Sequence, residues 1–200
     1  NCNHSEIVKQ TYKILAQKNV TKMKRDVYNN LLAWKKRPDR KPLILNGARQ
    51  VGKTWLLQEF AKCEYQKTAM FSLDRHVEAR AVFERGGDIK KVIRELSALA
   101  GVDITPGDTL LILDEIQDCP MALTSLKYFC EDAPDIHVAV AGSLLGISLH
   151  EQSSFPVGKV EIIRVYPMTF AEFLRAMGRE QMVDELQHGD WQIMEACGGV

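Results

Sequence analysis

Apolar positions along the chain alternate between two spacings, and the changes mark its elements. Pro42-Leu-Ile-Leu45 is a short continuous apolar run, as expected of a strand buried on both faces in a parallel sheet. After a glycine-marked loop, residues 55–63 return to helical spacing, with Leu56, Leu57, Phe60 and Ala61 on one face. Residues 68–73 predict a second strand. Asp88 caps a helix that carries Ile89, Val92, Ile93, Leu96 and Leu99 and stops at Gly101. Leu110 to Leu113 form another buried strand, and Pro120 opens a helix with Leu123, Leu126 and Phe129 inward. Residues 137–143 and 160–165 predict two more strands, and Thr169 with Glu172 spells a capping box for a helix over 170–177. Upstream, Val27, Leu31 and Trp34 fit a helix, and Ile7, Val8, Thr11, Ile14 and Leu15 form a further helical stripe. Strands alternating with helices predict an α/β fold around a parallel sheet. The expected organisation is a helical N-terminal extension (1–36), an α/β core built on that sheet (37–168) and the start of a helical lid (169–200).

Two segments carry the chemistry. Gly47-Ala-Arg-Gln-Val-Gly-Lys-Thr54 fits G-x-x-x-x-G-K-[ST], the loop that wraps nucleotide phosphates in backbone N–H groups. That pattern arises by chance in about one chain in a hundred of this length. A strand before it and a helix after it are the confirming context. Gly47 and Gly52 lack a Cβ, which permits unusual dihedrals and close approach to a phosphate. Ala48, Arg49, Gln50 and Val51 supply backbone amides, and the next helix turns its positive end to the anion. Lys53 is expected on the β- and γ-phosphates and the Thr54 hydroxyl on Mg²⁺. In the second segment, Leu110-Leu-Ile-Leu-Asp-Glu115, Asp114 is expected to hold Mg²⁺ and Glu115 to orient and polarise the attacking water. Gln117 and Asp118 follow with no assigned role. In P-loop ATPases with an additional strand, a polar residue at the tip of that strand contacts the γ-phosphate or the water, which makes Ser143 a candidate sensor. A turn residue after a glycine is its plainer reading.

The stretch from Met23 onward resembles the bacterial and archaeal AAA+-like ATPases whose C-terminal half is a domain of unknown function. The resemblance rests on Arg40-Lys-Pro-Leu-Ile-Leu-Asn-Gly-Ala-Arg-Gln-Val-Gly-Lys-Thr54, Leu113-Asp-Glu-Ile-Gln117, Ala141-Gly-Ser-Leu-Leu145 and Tyr166-Pro-Met-Thr-Phe-Ala-Glu-Phe-Leu174. It implies ATP and Mg²⁺ as ligands, catalytic roles for Lys53, Glu115 and Ser143, and metal ligation by Thr54 and Asp114. Many relatives carry an arginine after the glycine matching Gly158. This chain has Lys159, which lacks the bidentate fork of a charge-stabilising finger, so the finger is left unassigned. A Gly-Gly near residues 198–199 leads, in relatives, into the second half of the protein. The chain is therefore expected to be a fragment whose partner is its own C-terminal domain, with Met23 as the native start.

Composition sets outer limits. The 200 residues are 46% hydrophobic, with 26 basic and 26 acidic side chains, enough for one α/β domain and part of another. Zero net charge gives no global reason to expect nucleic acid or an anionic membrane, and DNA involvement would rest on fold analogy alone. No apolar run reaches the ~18 residues of a membrane span and no secretory leader opens the chain, so a cytoplasmic location is expected. Five scattered cysteines read as reduced thiols. Mg²⁺-dependent ATP hydrolysis is the expected activity, with homo-oligomer formation left open. The alternative is a nucleotide-gated binding module with little turnover. A small-molecule phosphotransferase would need an acceptor pocket and an arginine-rich lid, and the sequence offers neither.

Overall fold

The computed structural model describes residues 25–143 and 155–188. Two compact units divide the chain: Val27–Pro167, and a second whose described residues are 25–26 and 168–188. The stripe at residues 7–15 and the Gly-Gly at 198–199 lie outside the described residues.

The larger unit is a three-layer sandwich. Its elements in chain order are α1 (Tyr28–Lys36), β1 (Leu43–Gly47), α2 (Lys53–Glu64), β2 (Lys67–Ser72), α3 (Val77–Arg85) and α4 (Ile89–Ala100). Then follow β3 (Thr109–Asp114), a single 3₁₀ turn (Ile116–Asp118), α5 (Pro120–Asp132), β4 (His137–Ser143) and β5 (Glu161–Arg164). The five strands pair in parallel in the order β2-β3-β4-β1-β5. Side chains of a strand alternate between faces, so each strand feeds two cores. Ile44, Leu111, Leu113, Val138 and Val140 pack under α3, α4 and α5, whereas Leu43, Leu45, Leu110, Ile112, Ala139 and Ala141 pack under α1 and α2. Coverage on both faces explains why β3 and β4 are buried at every position and read as unbroken apolar runs. The edge strand β5 instead alternates between half-buried and exposed.

Local signals behave as their chemistry requires. The Asp88 side chain accepts from the Lys90 N–H at the start of α4, and Gly101 (φ +63°) ends that helix in the left-handed conformation. Pro120 occupies the first turn of α5. Two expectations change. Leu99 is 47% exposed rather than inward. The helix read at the end of the N-terminal extension belongs to the sandwich, because Leu31 and Trp34 of α1 are buried beside Phe60 in the sheet's second core.

In the smaller unit, α6 (Phe170–Ala176) opens with both halves of the Thr169–Glu172 capping box in place, and α7 (Glu180–His188) follows. Glu172 is buried, and its carboxylate also accepts from the Arg25 guanidinium at 3.1 Å and the Asp26 N–H at 2.8 Å. Among the described residues, no helix is long and apolar enough to cross a membrane.

Candidate nucleotide site

Parallel pairing places the carboxyl ends of all strands at one edge of the sheet. Register sets Gly47 beside Ser143 and Asp114 beside Ser72, so residues from four distant stretches meet at that rim. The rim opens into a cleft of about 670 Å³ whose lining includes Lys53, Thr54, Glu115 and Ser143.

The loop between β1 and α2 owes its shape to two left-handed residues, Gln50 (φ +63°) and Gly52 (φ +89°). Gly52 suits that conformation because it has no Cβ, whereas Gln50 adopts it at a steric cost. Gly52 is also the N-cap of α2 and provides no side-chain cap, so N–H groups of the first turn are left for an anion. Gly47 plays a different part from the one its motif suggests. Its φ is ordinary, but a Cβ there would stand 2.2 Å from the Val165 carbonyl oxygen, so the glycine is required by the chain leaving β5. The Lys53 ammonium donates to the Gly47 carbonyl at 3.0 Å and the Ala48 carbonyl at 2.7 Å, which holds it inside the loop. Burial lowers the Lys53 pKa, opposed by the nearby Glu115 and Asp114 carboxylates.

Across the cleft, the Thr54 hydroxyl donates to Asp114 Oδ2 at 2.8 Å. Asp114 is 6% exposed, and burial raises its pKa against the Thr54 hydrogen bond and the Glu115 N–H that donates to Oδ1 at 3.1 Å. Two hard oxygen donors this close fit Mg²⁺, since adjacent corners of an octahedron with ~2.1 Å bonds lie about 3 Å apart. Glu115 is left-handed (φ +51°), which turns its side chain out of the strand direction and into the cleft.

Ser143 is buried at the tip of β4 and lines the cleft, 8% exposed. Lys159 falls elsewhere. It precedes β5 at the opposite edge of the sheet and pairs with Glu131 at 3.0 Å, so within this chain it is no part of the cleft. Sequence reasoning assigned no role to Gln117, Asp118 or Asp74, yet all three line the cleft. Gln117 Nε2 donates to Glu115 Oε2 at 2.5 Å, and its Oε1 accepts from the Ser143 N–H at 3.3 Å. The available signal for Asp74 was its place just beyond a strand's carboxyl end, where such sheets put their sites.

The model of a family described as "AAA domain" matches residues 39–174. No curated protein matches the chain. Among solved structures, the closed state of Hsp104 with ATPyS and FITC casein is similar over 90% of this chain and 33% of that one, at 16% identity and TM-score 0.53. At that identity the likeness shows a shared fold. The Aeropyrum pernix ORC1 protein in complex with DNA matches at 15% identity and TM-score 0.45, covering 80% of this chain and 48% of that one. AMPPCP-bound DnaA from Aquifex aeolicus matches at 18% identity and TM-score 0.44, covering 80% and 53%. The chain thus spans from a third to about half of the structures it resembles.

Proposed function

The chain belongs to the AAA domain family, and from that premise we propose that it binds ATP with Mg²⁺ in the carboxyl-edge cleft and hydrolyses it to ADP and phosphate. The observation that carries the reading is the 2.8 Å hydrogen bond from Thr54 to Asp114, which joins two motifs sixty residues apart beside Lys53 and Glu115.

In this reading the backbone of residues 47–54 cradles the phosphates and Lys53 leaves its carbonyl partners for the β- and γ-oxygens. Thr54 and Asp114 would hold Mg²⁺, which when bound neutralises charge on the phosphate oxygens. Glu115 accepts a hydrogen bond from the attacking water and orients it toward the γ-phosphorus, and Ser143 contacts that phosphate from the tip of β4. In this reading residues 37–168 form the catalytic core and the helices after 168 begin a helical lid.

Phosphate release by the intact protein, compared with its Glu115→Gln variant, tests the proposal. The variant should bind ATP as tightly as wild type and lose turnover by about a hundredfold or more. If wild type releases no more phosphate than the variant, the hydrolytic reading fails and a nucleotide-gated switch replaces it.

A further inference from the structure

The water-activating carboxylate proposed above does not stand alone. Glu115 holds a left-handed backbone that a residue with a Cβ adopts only when its surroundings fix it. Part of that fixing is local, because Ile116 beside it is fully buried and starts the 3₁₀ turn. The Glu115 backbone is held by the Asp118 N–H, which donates to its carbonyl, and by Asp114 Oδ1, which accepts from its N–H, while its carboxylate is held by Gln117, whose amide has both ends engaged. Its orientation follows from its partners. A carboxylate only accepts and a backbone N–H only donates, so the amide nitrogen must face Glu115 and the amide oxygen must face Ser143.

We propose that Gln117 is a positioning residue for hydrolysis, tying the Glu115 carboxylate to the tip of β4 so that the base and the Ser143 end of the cleft keep one geometry. The inference rests on the hydrolytic reading and deepens it. The physical need is strict, since a base displaced by about 1 Å can lose a hundredfold in rate. A single side chain meets it here by spanning two strand ends, β3 and β4, that each bring a group, Glu115 and Ser143, to the lining of the cleft. Glu115 has two carboxylate oxygens, so donation from Gln117 to Oε2 leaves Oε1 to accept from water.

Two substitutions separate positioning from packing. Gln117→Leu keeps the side chain's bulk and removes both hydrogen bonds. Gln117→Glu can still accept from the Ser143 N–H but sets a carboxylate, unable to donate, against Glu115. Steady-state phosphate release, affinity for a non-hydrolysable ATP analogue and melting temperature are measured on the intact protein and both variants. The expected result is a kcat lowered about tenfold to a hundredfold in each, with analogue affinity within about twofold of wild type and melting unchanged. If wild type hydrolyses ATP and either variant retains its kcat, the inference is overturned while the hydrolytic reading stands. If kcat, analogue affinity and melting fall together in both variants, Gln117 is structural and the inference is again overturned. A wild type that releases no phosphate overturns both readings.

Discussion

The two edges of the sheet keep polar groups by opposite means. At the carboxyl edge, charged side chains converge on an open cleft, two non-glycine residues carry positive φ, and Lys53 and Asp114 remain half-committed to hydrogen bonds that a ligand could take over. At the amino edge the groups are closed in. Tyr65 and His137 share a hydrogen bond of 2.7 Å, and Trp34 donates to the Lys41 carbonyl at 2.8 Å. Trp34, Phe60, Tyr65 and His137 pack ring against ring at centroid distances of 5.4 to 6.4 Å. Burial, helped by the Arg40 and Lys35 charges, pushes the His137 pKa down to about 4, so the ring stays neutral near pH 7. One edge carries strain and buried charge beside an open cleft, and the other commits its polar groups to cohesion. Substitutions at the two edges should therefore fail in different ways.

The largest effect belongs to the amino edge. Trp34→Ala removes a side chain 2% exposed and should cost about 4 kcal/mol, read by denaturant unfolding, with the nucleotide cleft unaltered in whatever fraction remains folded. His137 comes next. The unfolded chain protonates this residue near pH 6.5 and the folded chain only near 4, so the unfolded state binds the extra proton between those values. Stability from this group is complete above pH 6.5 and falls by about 3 kcal/mol as pH drops toward 4. A His137→Gln variant should show a flatter acid limb, and an unchanged limb would refute the assignment.

At the carboxyl edge the signs differ. Lys53→Ala should weaken ATP binding about tenfold to a hundredfold by titration while leaving the melting temperature equal or higher, because a half-buried, partly desolvated ammonium is removed. The smallest expected change is also the sharpest. A carboxyl whose folded pKa lies above its unfolded value costs stability once pH exceeds the unfolded value, so Asp114→Asn should relieve that cost at neutral pH. A rise of roughly 2 °C in melting temperature, the size of under about 1 kcal/mol in a chain of this length, should accompany loss of Mg²⁺-dependent activity. A drop in melting temperature would place Asp114 with the cohesive groups instead.

What could be read from sequence tracks how local the cause is. Strand β1, the phosphate loop and α2 are contiguous, and their apolar spacing, glycine and lysine all lie within two dozen residues. The same holds for the Thr169–Glu172 box and the Asp88 cap. Helix α3 was not predicted, because its nine residues interleave Glu78, Arg80, Glu84 and Arg85 with an apolar set that includes Val77, itself 57% exposed. Gln117 and Asp74 stayed silent for another reason. Their relevance depends on β2, β3 and β4 being neighbours in register, which pairing across the sheet decides and no short window contains. The finger question behaves likewise, since only strand direction reveals that Lys159 stands at the edge away from the cleft.

The crowding at Gly47 alters how a standard experiment on such loops should be interpreted. Replacing the first glycine is commonly taken to probe how tightly a phosphate is gripped. In this molecule even a methyl group would first have to dislodge the Val165 carbonyl, and with it the route the polypeptide takes out of β5. A weakened Gly47→Ala protein would accordingly report on a backbone crossing, and its defect would persist with no nucleotide in the tube.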